Sequence, residues 1–364
     1  MHLQEIKLVN FRKHPDLTFI PSDGINLVYG PNGSGKTNIL EAVHYCTLAK
    51  GFNRSLDREC LNFSADYFLL TSRFSDDRGI EVSVKVSYTK TAEKRIFVNS
   101  EELKKFSQLI GRIPCITFSP TELAIVSGSP QERRRFMDTA LSQINKRYLD
   151  DLLQYRRVLQ QRNTLLAAMG DESTVKSNLE IWTEKLSLLA GSITSERSRF
   201  LSQFLEYFQP VYERLGLGEV PGFSYCSSIG KHVPETTGEE LANAMMHRFK
   251  DIEAQEMYRK QTLLGPHRDD IVFLLNGIEV KKYASQGQLR TFLIAVKLAL
   301  QRFISGMSGE KPLFLLDDLF SELDRKRVEK VLELLDGSGQ SIITSTDKKD
   351  ISCAYSISVE ELMQ

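Results

Sequence analysis

The stretch Gly30-Pro31-Asn32-Gly33-Ser34-Gly35-Lys36-Thr37 constrains this chain more than any other. It fits the phosphate-loop pattern G-x-x-x-x-G-K-[ST] at every fixed position. An apolar run, Ile25 to Tyr29, leads into it, and Ile39, Leu40, Val43 and Cys46 follow at helical spacing. A loop between a strand and a helix start aims backbone N–H groups and the positive dipole end at an anion. Gly33 and Gly35 let the backbone approach phosphate where a Cβ would hinder it. Lys36 supplies a point charge for β- and γ-phosphates, and Thr37 a hydroxyl for Mg²⁺.

A phosphate loop needs partners, and the second half of the chain holds them. Leu313-Phe314-Leu315-Leu316-Asp317-Asp318 is an apolar run ending in two carboxylates. The run reads as a strand of a sheet covered on both faces. Asp317 at its carboxyl end is placed to hold Mg²⁺, and Asp318 to polarise an attacking water. Ser285-Gln286-Gly287-Gln288 precedes a helical run through Leu289, Phe292, Leu293, Val296 and Leu300. A Ser and a Gly at a helix start make either a second anion site or an ordinary N-cap. In an ATPase working as a head-to-tail pair, such a segment contacts the γ-phosphate held by the other subunit. Ser321-Glu322-Leu323-Asp324 follows the carboxylates, where it either crosses a dimer interface or caps the next helix with Asp324. Ser341 to Thr344 reads as another strand, with Thr346-Asp347 at its end where a γ-phosphate sensor would sit.

The remaining segments suggest organisation. Ile6 and Leu8, then Leu17 and Phe19, alternate as two short strands around the basic turn Asn10-Phe11-Arg12-Lys13-His14, which is either a polar turn or a phosphate or base contact. Residues 67–98 alternate as antiparallel β-structure, so a simple parallel sheet is not expected. From about Gln131 the pattern turns helical over 131–168 and 173–209, the economical reading being two antiparallel helices forming an arm. A helix near Gly238 to Gln255 leads back, and Asn276-Gly277 marks a hairpin. Lys+Arg and Asp+Glu both number 47, so nucleic-acid binding must use a local patch and not a basic coat. Two patches stand out: Lys50, Arg54 and Arg58 after the first helix, and Arg133, Arg134, Arg135, Lys146, Arg147, Arg156, Arg157 and Arg162 on the arm. Each is either a solvated face or a DNA-backbone contact, and Arg133 and Arg134 equally serve as braces. The start of the chain has no apolar leader core, no run approaches the ~20 residues that span a bilayer, and Cys46, Cys60, Cys115, Cys226 and Cys353 form no C-x-x-C pair. A reducing cytoplasm is the simple expectation.

Taken together, GPNGSGKT, SQGQ, LFLLDD and SELD resemble the ABC-type ATPase heads, including the structural-maintenance-of-chromosomes proteins. Leu8-Val9-Asn10-Phe11-Arg12, Gly128-Ser129-Pro130 with Arg133-Arg134 and Phe136-Met137-Asp138, and Gly265-Pro266-His267-Arg268-Asp269-Asp270 narrow the resemblance to the RecF family of bacterial DNA replication and repair proteins. The resemblance implies an α/β ABC-type head with mixed β-sheets, built from residues 1–118 and 259–364, with a helical arm domain over 119–258. It implies ATP and Mg²⁺ as cofactors, a homodimer sandwiching two ATP molecules, slow DNA-stimulated hydrolysis, binding to single- and double-stranded DNA, and partnership with RecR and RecO in loading RecA. By carry-over, Gly30 to Thr37, Arg12 and Ser285 to Gln288 bind ATP. Thr37 and Asp317 hold Mg²⁺, Lys36 and Asp318 are catalytic, and Ser285 acts in trans. A soluble ABC-transporter subunit is the alternative, disfavoured by the arm and by the GPHRDD block. There are departures. Wider ABC heads carry Glu at the Asp318 position and His at Thr346, and Phe118-Ser119-Pro120-Thr121-Glu122 lacks both the metal-sensing Gln and the acidic residue expected after its proline. These departures point to slow hydrolysis, a switch and not a motor.

Overall fold

The computed structural model describes residues 1–52, 55–168, 172–216, 218–230, 236–320, 323–348 and 354–363. In chain order the elements begin with β1 (His2–Phe11), β2 (His14–Phe19), β3 (Ile25–Tyr29), α1 (Lys36–Leu48), β4 (Tyr67–Ser75), β5 (Glu81–Thr89), β6 (Lys94–Val98), β7 (Glu101–Glu102) and β8 (Cys115–Phe118). There follow α2 (Ala124–Ser127), α3 (Pro130–Ile144), α4 (Lys146–Ala167), α5 (Glu172–Arg214), β9 (Pro221–Cys226), α6 (Gly238–Arg259), β10 (Asp270–Leu275), β11 (Ile278–Glu279) and α7 (Val280–Tyr283). The chain ends with α8 (Gln286–Ser308), β12 (Leu313–Leu316), α9 (Arg325–Leu335), β13 (Ser341–Ser345), β14 (Ala354–Ser358) and α10 (Val359–Leu362). They gather into two compact units. One comprises Met1–Val126, Pro210–Gly218 and Ala284–Gln364, the other Ser127–Gln209 and Glu219–Tyr283.

The first unit holds two sheets. One is antiparallel, in the order β2-β1-β4-β5-β6-β7; the other is parallel, in the order β14-β3-β13-β12-β8. Helix α1 touches β1, β4 and β5 of the first sheet and β8, β12 and β13 of the second. The sequence spacing predicts one apolar face on α1, yet every residue from Ile39 to Leu48 is buried, Glu41 and His44 included. A helix covered by two sheets has no solvent side, so it must be apolar all round or pair its polar groups. It does the latter: Glu41 takes Arg12 in a two-pronged ion pair, and His44 Nδ1 lies 2.8 Å from the Lys50 carbonyl. Phe11, Tyr45, Phe68 and Tyr88 pack edge-on and stacked in the same core.

In the second unit, the single helix expected over 131–168 is two. Asn145 breaks it with extended backbone, and its side chain accepts the Tyr148 N–H, capping α4. The second expected helix extends to Arg214, with Pro210 inside it. Strand β10 is flanked by β11 and β9. Residues 259–283, expected with the head, therefore group with the helices. Arg133 holds Asp270 of β10 with two bonds of 2.8 and 2.9 Å, and Arg134 donates to the Asp269 carbonyl at 2.6 Å. The GSPxxRR and GPHRDD motifs thus meet each other.

Two buried polar knots hold this unit. Arg162, 2% exposed, donates to Glu256 at 2.5 Å, Thr183 at 2.9 Å and Thr262 at 2.8 Å, and lies over the Phe249 ring. Arg197, equally buried, donates to Asp138, Tyr148 and the Pro266 carbonyl. Removing one partner of such a pair leaves an uncompensated buried charge. Glu256→Ala is therefore expected to lower the unfolding free energy by about 3–5 kcal/mol, read by urea denaturation of the full chain; a loss no larger than that of an exposed Glu→Ala would refute the role. His267 adds a pH term. Its Nδ1 accepts from Tyr155 Oη at 2.6 Å and its Nε2 faces the Thr262 carbonyl at 3.3 Å. Burial lowers its pKa from 6.5 to about 4. The unfolded chain then holds the proton more tightly, so the stability from neutral His267 is full above pH ~6.5 and falls as the pH drops toward 4, by about 3 kcal/mol in all. Denaturation of native chain and His267→Gln across pH 4–7 should show a shallower fall in the variant.

Candidate nucleotide site

Sheet register assembles the site. The order β3-β13-β12 sets Val28 against Thr344, Tyr29 against Ser345 and Leu316 against Ile343. The carboxyl ends of three parallel strands therefore emerge side by side, which is where open α/β sheets bind ligands. The Gly30 N–H donates to the Ser345 carbonyl at 3.3 Å and ties the loop start to β13. Gly33 and Gly35 have φ of 80° and 100°, left-handed values that suit glycine. A Cβ on Gly35 would also lie 2.5 Å from His14 Nε2.

The turn between β1 and β2 braces the loop from outside. Lys13 Nζ donates to the Gly33 carbonyl at 2.7 Å, and His14 Nε2 sits 3.1 Å from the Gly35 carbonyl. Peptide planes are rigid, so fixing these carbonyls also fixes the direction of the N–H groups that follow them. His14 is 1% exposed, and burial lowers its pKa. Sequence reasoning named the Asn10–His14 turn but missed these two bonds. Arg12 is committed elsewhere: it pairs with Glu41 at 2.7 and 2.9 Å and donates to Ser55. Lys36 Nζ donates to the Gly30 and Pro31 carbonyls at 2.7 and 2.9 Å; burial lowers its pKa, with Asp317, Asp318 and Asp347 opposing.

Asp317 is the hub. Its Oδ1 accepts from Thr37 Oγ1 and from Thr344 Oγ1, each at 2.8 Å. Burial raises the Asp317 pKa, and these two hydroxyls offset part of the rise. Asp318 follows with φ of 50°, and its N–H donates to Thr344 Oγ1 at 2.9 Å. Thr37 and Asp317 are adjacent hard oxygen donors. Mg²⁺ takes one or two such protein ligands and fills the rest with water and phosphate oxygens, so the residues fit that ion. Thr344 was not singled out from sequence; its signal was a hydroxyl on the strand that the register sets beside Asp317.

The other expected positions are placed as follows. Ser285 caps α8 in a capping box with Gln288: the Gln288 N–H donates to Ser285 Oγ at 3.3 Å and the Ser285 N–H to Gln288 Oε1 at 2.9 Å. Ser285 and Gln286 are nevertheless exposed, and Gly287 partly so. Asp324 caps α9 through the Arg327 N–H, while Ser321 and Glu322 lie outside the described residues. Thr346 Oγ1 donates to Asp347 at 3.1 Å. Glu122, in the segment without the metal-sensing Gln, pairs with Lys297 at 2.6 Å. Of the DNA candidates, Lys50, Lys146, Arg147, Arg156 and Arg157 are exposed, and Arg54 lies outside the described residues. Arg156 sits 3.6 Å from Asp138. Arg133 is a correction: it is 6% exposed and spent on Asp270, so it offers no charge to a DNA backbone. Arg134 is likewise bound to the Asp269 carbonyl and the better described as a brace.

The loop geometry makes Gly35→Ala a sharp probe. A left-handed φ costs an alanine roughly 1–3 kcal/mol, and the His14 clash adds to it. Fluorescent-nucleotide titration should show affinity falling at least ~10-fold, with His14→Ala restoring part of the loss because it removes the clash and leaves the backbone strain. An unchanged affinity in Gly35→Ala would contradict this loop geometry.

The family described as RecF/RecN/SMC N terminal domain matches residues 2–360. The chain is 69% identical over 363 residues to a DNA replication and repair protein RecF of Chlorobium phaeobacteroides (strain BS1), covering 100% of both chains. It superposes with a TM-score of 0.89, at 32% identity, on a solved structure of the recombination mediator protein RecF-ATP in the RecFOR pathway, covering 98% of this chain and 95% of that one. It superposes at 0.56, with 15% identity, on an Smc head bound to the C-winged helix domain of ScpA, over 96% of this chain and 90% of that one, a likeness of fold. The fold is that of the ABC-type ATPase heads, and the chain belongs to the RecF family of DNA replication and repair proteins.

Proposed function

We propose that this chain is an ATP-dependent DNA-binding protein of replication and recombinational repair, in which ATP and Mg²⁺ set dimerisation. The observation that carries the reading is the pairing of Thr37 with Asp317 at the mouth of a complete phosphate loop, in a chain similar over its length to a RecF protein solved with ATP. Gly30 to Thr37 cradle the phosphates through backbone N–H groups. Lys36 leaves the Gly30 and Pro31 carbonyls for the β- and γ-phosphates. Thr37 and Asp317 hold Mg²⁺, which supplies charge neutralisation for phosphoryl transfer. Asp318 orients the attacking water. The exposed Ser285 and Gln286 at the start of α8 meet the γ-phosphate held by a second copy. Two ATP molecules then lie between two protomers, and hydrolysis, slow and stimulated by DNA, releases them. In this reading Arg12 supports α1 through Glu41 and reaches ATP only if that pair opens.

The DNA contacts in this reading are the exposed basic residues Lys146, Arg147, Arg156 and Arg157 of the second unit and, separately, Lys50 of the first, each meeting single- and double-stranded backbone at gaps. Lys146 and Arg147 stand in the first turn of α4, where the helix dipole disfavours cations by roughly 0.3–1 kcal/mol. A phosphate partner reverses that cost. The RecF solved with ATP is a recombination mediator in the RecFOR pathway; by family membership we place this chain in that pathway, and we assign it partnership with RecO and RecR in the loading of RecA, in the cytoplasm. Among the described residues no helix is long and apolar enough to cross a membrane.

Sedimentation with ATP under conditions that block hydrolysis is expected to give a dimer for the native chain and a monomer for Lys36→Ala and Ser285→Arg. A nucleotide-independent monomer, or a Ser285→Arg chain that still dimerises, refutes the sandwich. For DNA, Lys146→Glu with Arg147→Glu should weaken binding across sequences and reduce the slope of log K against log salt by about 2. An unchanged slope removes α4 from the DNA surface.

A further inference from the structure

The hydroxyl of Thr344 lies between the two carboxylate residues that follow β12, bonded to the side chain of Asp317 and to the backbone of Asp318. Thr344 is 1% exposed on β13. A hydroxyl has one proton and two lone pairs, and both kinds of capacity are engaged: the proton goes to Asp317 Oδ1 at 2.8 Å, and a lone pair takes the Asp318 N–H at 2.9 Å. Asp318 adopts φ of 50°, a left-handed conformation that residues with a Cβ adopt seldom. We propose that Thr344 is the positioning residue of the carboxylate pair: one hydroxyl fixes the rotamer of Asp317 and, through the backbone of Asp318, the direction in which the Asp318 carboxylate points.

This role rests on the reading of Asp317 as metal ligand and Asp318 as the water-orienting group, and deepens it. Thr37 and Thr344 share the same Asp317 oxygen. Thr37 is the one of the two that turns to the metal, so Thr344 is the partner that stays. A ligand held by a fixed neighbour keeps its orientation when its other bonds change, and loss of such a neighbour typically costs 10–100-fold in metal affinity or activity. The alternative is a buried strand threonine whose hydroxyl merely finds partners. The two differ in where the damage falls. A structural threonine would cost stability and nucleotide affinity together. A positioning threonine costs turnover and metal affinity and spares the phosphate loop, whose own bonds to β13 run through the Ser345 carbonyl.

The test uses Thr344→Val, which keeps the shape and β-branching and removes the hydroxyl, and Thr344→Ser, which keeps the hydroxyl. Three quantities are measured on the full chain: ATP affinity by fluorescent-nucleotide titration, turnover at saturating ATP with DNA, and Mn²⁺ affinity in the presence of ADP by electron paramagnetic resonance, which needs no turnover. Thr344→Val is expected to bind ATP within about 3-fold of the native chain, while turnover and Mn²⁺ affinity fall about 10- to 100-fold. Thr344→Ser is expected to stay within about 3-fold throughout. A Thr344→Val chain with native turnover overturns the role. So does a Thr344→Ser chain as slow as Thr344→Val, or a loss confined to ATP affinity. Asp318→Asn and Asp317→Asn run alongside: native turnover in the first, or native Mn²⁺ affinity in the second, overturns the underlying reading itself and is distinguishable from failure at Thr344.

Discussion

One carboxylate oxygen, Asp317 Oδ1, ties together three parts of the chain that sequence keeps far apart. Thr37 lies 280 residues before it and Thr344 lies 27 after it. No local propensity brings them together. Strand order does: β3 pairs with β13, and β13 with β12, so that each strand's carboxyl end opens beside the next. A slip of one residue in the β12–β13 register would turn Thr344 to the opposite face, because strand side chains alternate. The core residues Val28, Leu315 and Ile342, all fully buried, set that register by their own packing. The chemistry of the site is thus a consequence of apolar packing a few residues upstream of it.

The same packing explains what could and could not be read in advance. The phosphate loop was legible because its constraints are local: a glycine for each left-handed φ, a Lys and a Thr at fixed offsets. The run Leu313–Asp318 was legible because a wholly apolar strand ending in acids has few uses. Thr344 was not legible, since a hydroxyl in Ser341-Ile342-Ile343-Thr344 has no local signature and gains its meaning only from the strand placed next to it. Lys13 and His14 were half legible: the basic turn stood out, but its bonds to Gly33 and Gly35 carbonyls depend on how the β1–β2 hairpin meets the loop. The break at Asn145 was missed because the apolar spacing runs through it without interruption, while the capping side chain changes the backbone direction.

Arginine was the residue type that sequence reading sorted least well. Arg133, Arg134, Arg147 and Arg157 look alike in a helical stretch, yet they split by burial. Arg133 and Arg134, beside Asp270 and Asp269, are internal braces, and Arg147 and Arg157 face solvent. The specificity of GSPxxRR and GPHRDD as motifs follows from that pairing. Each supplies half of one interlock, and buried, hydrogen-bonded ion pairs tolerate loss of a partner poorly. Their worth lies in the second unit's own fold, which a neutral overall charge could not have indicated.

Helix starts give a further contrast across the molecule. Helices α3, α6 and α10 carry acid in the first turn, as Glu132, Glu239 with Glu240, and Glu360 with Glu361. Acid there satisfies the positive end of the dipole. Helices α1, α4 and α8 carry none. Helix α1 opens from the phosphate loop with no side-chain cap at all, and α8 opens with neutral, exposed Ser285 and Gln286. These are the helix starts that the proposed function sets against phosphate: ATP of the same copy at α1, DNA at α4, ATP of a second copy at α8. Helix α9 also lacks first-turn acid, but Asp324 caps it directly and supplies the negative charge. Among the helices longer than ten residues whose first turn is described, acid in the first turn or at the cap marks α3, α6 and α9, which have no proposed ligand, while the acid-free starts of α1, α4 and α8 are those that the proposed function sets against an anion.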